Sequence, residues 1–513
     1  MVNLTTMKRL TILALGMIAS AYGAVIAVPA GGDLQTALNN AAPGDTIALS
    51  PGASYVGNFV LPVKSGSSYI TITTAGFTPV AGQRMSPPAA APLAKIVAAN
   101  PTAAVGVVSG AHHFELLGLE ITTAPGVYSY GLIELTSPVS GDAATVPHDI
   151  VLDSLYLHGD ATVGTKRGIS LNSATTTIQN SYISNIKSSV QDSQAICGWD
   201  GPGPFIIRNN YLEASGENLM FGGAAPSIQG LVPSDITIQY NYFYKQPAWQ
   251  NSQWIVKNLL ELKNAQRVNI QYNVLENNWA GGQDGHGVLF TVRTCEGGNT
   301  PWAVVKNVLY SFNILRNSDA GFVTTGKDGE RSACPAPALA GYGGQIQIVN
   351  NLFDGIGLQS GGDLSLIEED TDQLTIEHNT AFSTRSFVLG TGTPSASFIL
   401  RNNILNFGVY GMIGDGTAGQ NDTCAAYFPG CVVTNNVLLG IPAYEDSLYS
   451  ATNLFAPAAS SVFVNYSGGD YRLPSGSPYK GTATDGTDPG ANIDELLTQT
   501  ANVTGSKQFG RRR

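Results

Sequence analysis

The segment Leu259-Leu260-Glu261-Leu262-Lys263 alternates apolar and charged residues. In an extended strand Leu260 and Leu262 share one face, and Glu261 and Lys263 share the other. Val288-Leu289-Phe290-Thr291-Val292-Arg293 repeats the pattern, with Thr291 and Arg293 on the face opposite Val288, Phe290 and Val292. Held side by side, a lysine and an arginine suit elimination from a uronic-acid polymer. A base takes the proton alpha to the sugar carboxylate, a positive group neutralises that carboxylate and the developing enolate, and an acid or water protonates the leaving oxygen. Lys263 and Arg293 are the candidate catalytic pair, and Glu261 lies beside them. Three further residues are candidates for substrate contact: His286, Glu217 in Ala214-Ser215-Gly216-Glu217-Asn218, and Trp279 among the central-loop tryptophans. The competing reading makes Glu261, Lys263 and Arg293 a solvated ion-pair cluster, Glu217 a turn cap and Trp279 a loop-packing residue.

Residues this far apart meet only if their strands stack. A strand ending in asparagine recurs along the chain, with asparagines at 180, 210, 241, 273, 313, 351, 379, 403 and 436. Coils of about 22 residues with loop insertions account for the uneven spacing. Leucine-rich and helical repeats fit worse, because the apolar residues alternate with period two. Buried asparagines at one bend of each coil can stack and satisfy the backbone of the coils above and below. A second strand family lies between them, from Gly168-Ile169-Ser170-Leu171 through Gln194-Ala195-Ile196-Cys197 to Ser386-Phe387-Val388-Leu389. The expected fold is all-β: a right-handed, single-stranded parallel β-helix. Asp33 to Ala41 reads as an N-terminal capping helix with Asp33 as N-cap. Thr46-Ile47-Ala48-Leu49 reads as the first coil strand. The asparagine pattern stops near residue 440, so an irregular C-terminal cap and tail is expected over 441–513, with the solenoid over 24–440.

Charged residues make up 12% of the chain, 59 residues are glycine, and the net charge is −11. That balance excludes a phosphate-binding, nucleic-acid partner. The N-terminus reads as a secretory signal over 1–23: Lys8 and Arg9, an apolar run from Leu10 to Ile18, then small residues. The run is too short to span a bilayer, and no membrane anchor is expected. A monomer, extracellular or periplasmic, follows. Cys424 and Cys431 bracket a short loop and suit a disulfide; Cys295 and Cys334 suit a second; Cys197 reads as a buried free thiol.

With these features the chain resembles the pectate-lyase-like superfamily of parallel β-helix proteins over roughly residues 30–495. The resemblance is carried by Ala42-Pro43-Gly44-Asp45-Thr46-Ile47 at the start and by Tyr471-Arg472-Leu473-Pro474 and Asp488-Pro489-Gly490-Ala491 near the end. Within it, the Glu261-Leu262-Lys263 and Arg293 strands are similar to the lyase family of chondroitinase B and related alginate lyases. That resemblance implies Lys263 as base, Arg293 as second catalytic group, Glu261 as a Ca²⁺ ligand, and a uronate-containing polysaccharide as substrate. The loop Trp279 to Gly285 lengthens the spacing relative to that family. Gly285-His286-Gly287 resembles the Gly-His-Gly of polygalacturonases, and Gln191-Asp192-Ser193 their aspartate pair, which implies a glycoside hydrolase as the alternative. The superfamily also contains non-catalytic surface proteins, so fold alone leaves a glycan-binding β-helix open.

Overall fold

The computed structural model describes residues 23–295, 300–328, 342–359 and 361–505. The expected signal segment, Cys334 and the basic end Arg511 to Arg513 lie outside the described residues.

The chain winds into a right-handed parallel β-helix of three long sheets with 14, 13 and 14 strands. Sheet A collects the asparagine-ended strands, from Val25–Val28 to Val432–Thr434. Sheet B collects the strands that follow each asparagine. Sheet C collects the second family and includes Arg167–Ser170, Gln194–Gly198, Glu217–Phe221, Leu260–Leu262 and His286–Thr291. Pairing is parallel throughout, except between the last two strands of sheet C. Alternation fixes what faces inward: Ile169, Ile196, Leu219, Leu260, Val288 and Phe322 stack as one interior column of sheet C.

The asparagine ladder sits at the bend between sheets A and B. Asn241 donates from Nδ2 to Asn273 Oδ1 (3.1 Å) and to Ile207 O (2.8 Å), and its backbone N–H donates to the same Asn273 oxygen (2.9 Å). The pattern repeats from Asn210 to Asn436, with every rung fully buried. It then continues one coil beyond the expected end, through Asn453 (Asn436 N to Asn453 Oδ1, 3.1 Å). Asn180 is not a rung. It occupies the preceding left-handed position (φ 52°), shared by Asn209, Tyr240, Tyr272 and Phe312, and donates to Asp153. The ladder position of that coil is taken by Ser181, whose N–H donates to Asn210 Oδ1.

The N-terminal cap forms as expected. Asp33 accepts from Thr36 N, and Leu34, Ala37 and Leu38 are buried over the first coils. One strand precedes the expected first one: Val25–Val28 pairs with Thr46–Leu49. The far end differs more. It is closed by the helix Gly419–Tyr427 and the Cys424–Cys431 disulfide, with Phe428 packed on Phe398. Residues beyond 458 do not cap that end but run back along the outside of the solenoid. Gly490 N–H bonds Asn402 O, Asn492 N–H bonds Asn350 Oδ1, and Arg84 reaches Val503 O. The physical reason is an apolar row at the ladder bend (Val274, Ile314, Leu352, Ile404 and Val437) that Tyr471, Ile493, Leu496 and Val503 cover. Burying each such side chain contributes about 1.5–3 kcal/mol.

Candidate functional site

The Leu260–Leu262 strand places Leu260 and Leu262 in the interior, which turns Glu261 and Lys263 to the outer face of sheet C. The Lys263 ammonium lies 3.4 Å from Glu261 Oε1. On the next coil Arg293 N–H donates to Lys263 O at 3.0 Å, so the two basic residues stand on adjacent turns. Arg293 Nη1 is 3.8 Å from Asp328, whose carboxylate also accepts from Thr294 N and Cys295 N and so holds the loop that follows the strand. Gly222 makes room on the other side. Its φ is +94°, and a Cβ there would meet Lys263 Cβ at 2.8 Å.

This outer face is roofed, not open. The register column Cys197, Met220, Glu261, Leu289 and Val323 is buried, although none of these residues belongs to the interior core. The Lys263 side chain is 7% exposed and that of Arg293 25%. Alternation therefore gave the correct face for both residues and no information on their covering.

A second cluster lies where the chain enters sheet C. Glu217 is fully buried and accepts from Gln194 Nε2 at 2.8 Å. Its other oxygen faces Lys257 Nζ at 3.5 Å, and Lys257 also binds Asp192 at 2.5 Å. Burial alone would lower the Lys257 pKa; Glu217 and Asp192 outweigh it and hold the pKa above the ordinary lysine value. Asn258 and His286 occupy the same strand position on the next two coils, because Leu219, Leu260 and Val288 pair in register. Both Asn258 amide atoms and His286 Nε2 are buried without a hydrogen-bond partner among the described residues. Burial pushes the His286 pKa below the ordinary histidine value, so its imidazole is neutral at pH 7.

Glu217 and His286 thus lie in one column beside the Lys263 group. Trp279 does not join them as an exposed ring. It is buried against Trp249 and Val256, with Trp254 packed on the cluster. Asp192 sits three coils from His286, which separates the two halves of the polygalacturonase-type pattern. Lys257, Asn258 and Asp328 were not singled out from the sequence. Lys257 lies four residues before Glu261, but its partners Asp192 and Glu217 belong to other coils and only the register reveals them.

The expected Ca²⁺ site around Glu261 is not matched by its donor set. Ca²⁺ takes six to eight oxygens, whereas Glu261 is flanked in register by Met220 and Leu289 and faces an ammonium. Among the described residues no group of three carboxylate or imidazole ligands includes it. Cys424 and Cys431 are bonded as expected, and Cys295 is disulfide-bonded, its expected partner Cys334 lying outside the described residues. Cys197 is free and buried, and burial pushes its thiol up to about 11, which keeps it protonated.

No family model and no curated protein matches the sequence. Among solved structures, the chain is similar to an alginate lyase from Paenibacillus sp. str. FPU-7, with 13% identity over 84% of this chain and 99% of that one (TM-score 0.26). It is similar to the A-module of a mannuronan C-5 epimerase from Azotobacter vinelandii, with 13% identity over 80% and 94% (TM-score 0.42). A family 28 exopolygalacturonase from Yersinia enterocolitica gives 9% identity over 82% and 79% (TM-score 0.40). At these values the likenesses carry no argument about activity; the parallel β-helix stands on its own strand ladders.

Proposed function

We propose that this chain is a secreted polysaccharide lyase that cleaves a uronate-containing polymer by β-elimination. The observation that carries the reading is the placement of Lys263 and Arg293 on adjacent turns of one sheet, joined by the Arg293 N–H to Lys263 O bond. Lys263, acting as the neutral amine after giving up its proton, takes the proton from the carbon alpha to the sugar carboxylate. The electron pair forms the carbon–carbon double bond and expels the glycosidic oxygen at the neighbouring carbon, which is protonated by water or by the lysine ammonium. Arg293 exchanges Asp328 for the substrate carboxylate and stabilises the enolate as charge develops there. Docking must displace the groups over Lys263, since its side chain is 7% exposed. The Cys424–Cys431 disulfide agrees with an oxidising, exported compartment.

The burial of Lys263 favours one competing reading, a non-catalytic glycan-binding solenoid. Incubation with a panel of uronate polymers, with and without chelator, separates the two. A lyase releases unsaturated products with new ultraviolet absorbance; Lys263→Ala abolishes it and Arg293→Lys lowers it at least tenfold. Absorbance that persists in Lys263→Ala overturns the mechanism. Binding without products establishes the non-catalytic reading, and reducing ends without absorbance establish a hydrolase.

A further inference from the structure

A group of metal-ligand type lies on sheet A, away from the Lys263 cluster. The strands His112–Leu117 and His148–Asp153 are neighbours, with His112 paired to His148, which sets His113 beside Asp149. Three of the six histidines of the chain meet here. The rings of His112 and His148 stack, 9° apart, with centroids at 4.8 Å. His112 Nδ1 is 2.7 Å from His113 Nδ1, and His148 Nδ1 is 2.7 Å from Asp149 Oδ2. Donor atoms of His113, His148 and Asp149 all lie within 4.8 Å of one another.

Two features separate this group from an ordinary surface cluster. The facing Nδ1 atoms of His112 and His113 share one proton in a neutral hydrogen bond, and moving that proton to Nε2 frees both lone pairs for a cation. Asp149 meets no lysine or arginine among the described residues; its ion-pair partner is His148. The left-handed backbone at His113 (φ 56°) and Asp149 (φ 53°) is a property of the fold, since Thr175, Asp235 and Arg267 continue it on other coils. On those coils the position carries no imidazole. The side chains of His148 and Asp149 are 40% and 29% exposed, so an ion reaches them from solvent.

We propose that His113, His148 and Asp149, with His112 as a fourth donor, bind one borderline divalent transition cation of the Zn²⁺, Co²⁺, Ni²⁺ class. Imidazole nitrogen with one carboxylate suits these ions and not Ca²⁺ or Mg²⁺, which take oxygen. Tetrahedral ligands at about 2.0 Å stand about 3.3 Å apart, so the two 2.7 Å pairs open and the wider separations close by rotation of partly exposed side chains. The bound ion clips two consecutive coils together near the N-terminal end.

The test uses the full chain, free of any histidine tag and stripped with chelator. Calorimetric titration with Zn²⁺ gives one ion per chain, and Co²⁺ gives the visible absorption of a tetrahedral nitrogen–oxygen site. His148→Ala and the more conservative Asp149→Asn each weaken Zn²⁺ binding at least tenfold while far-ultraviolet circular dichroism stays unchanged, and His158→Ala binds as the parent does. Zn²⁺ raises the melting temperature of the parent but not of His148→Ala. No stoichiometric uptake, or uptake that survives both substitutions, overturns the proposal.

Discussion

Replacing Asn313 by alanine tests whether the ladder holds the solenoid together or merely decorates it. The Asn313 amide donates to Ile270 O (2.9 Å), Ser311 O (3.1 Å) and Asn351 Oδ1 (3.2 Å). Its oxygen accepts from Asn273 N (3.0 Å) and Asn273 Nδ2 (2.9 Å). Asn313→Ala removes all five contacts and leaves the Asn273 backbone N–H orphaned inside a fully buried bend. At roughly 1 kcal/mol net for each of the other four bonds, and 1–3 kcal/mol for the orphaned donor, the cost is about 5–7 kcal/mol. The terminal rung Asn453 supplies the internal control. Its oxygen accepts from Asn436 N and Nδ2 (3.1 and 3.0 Å) and its amide reaches Gln420 Oε1 (3.1 Å), but it has a ladder neighbour on one side and its contacts to Val433 O and Ser450 O are long (3.4 and 3.3 Å), so Asn453→Ala costs less, about 3–5 kcal/mol. Urea unfolding followed by circular dichroism gives the ranking, and amide hydrogen exchange shows whether the loss spreads from coil to coil, as expected of an array whose turns contact only their neighbours. Equal, small losses at both positions would refute the view that stacked amides stabilise the core.

Two further outcomes follow from buried charges. Lys245 is fully buried, donating to Ala214 O (3.0 Å), Ser215 O (3.1 Å), Gly216 O and Asn218 Oδ1 (2.9 Å). Burial pushes its pKa from 10.5 down to about 7, against the opposing pull of Glu217. The unfolded lysine therefore holds a proton that the folded one has shed between those values, so folding stability rises with pH across that window. From pH 7 to 8.5, below the range where the raised Cys197 thiol reverses the trend, the gain is about 2 kcal/mol. Urea midpoints at the two pH values show this rise in the parent and a flat response in Lys245→Met; equal slopes contradict it. Arg84 anchors the returning C-terminal segment through Val503 O (2.7 Å), Asn209 O (3.0 Å) and Tyr240 O (3.0 Å). Arg84→Met removes charge-assisted bonds worth about 1.5–3 kcal/mol each, so limited proteolysis cuts residues 485–505 at least tenfold faster, with the coils intact; unchanged cleavage would show that the apolar row alone holds the strap.

The solenoid was legible because its signal is redundant: many coils repeat one asparagine at one bend. Where the repeat doubles its asparagine the second one is the rung, as read from the sequence at 210, 351, 403 and 436, and the reading slips by one residue only at Asn180. Asn209-Asn210, Asn350-Asn351, Asn402-Asn403 and Asn435-Asn436 each place one amide in the left-handed position and the next on the ladder. At Asn180-Ser181 a serine takes the rung, so Asn180 imitates it in sequence alone. The returning strap was not legible, since residues 458–505 have no period and their contacts to 350, 380 and 402 belong to no repeat. Alternation read the direction of Lys263 and Arg293 correctly. It cannot report what lies above a sheet or in a loop, which is why the sequence leaves Trp279 open between sugar contact and loop packing; it packs with Trp249 and Val256. His112 and His148 escaped notice as a group for a similar reason, since only coil register makes them neighbours.

The roof over sheet C bears on function as much as on access. A solvated ion-pair face would leave its charges in water, where exposed pairs contribute little either way. Here Glu217 with Lys257 and Asp192, Glu261 with Lys263, and Arg293 with Asp328 follow one another along consecutive coils, most of them with little exposure. Taking such groups out of water costs several kcal/mol per ion, and apolar residues of similar volume would often stabilise the fold equally or better. Met220, Leu289 and Val323 show that the same sheet face accepts apolar side chains at the neighbouring rungs. Stability does not call for charge there. Buried, paired charges on a sheet face that also accepts apolar side chains are a pattern that accompanies functional sites, which supports the proposed lyase reading that Lys263→Ala tests.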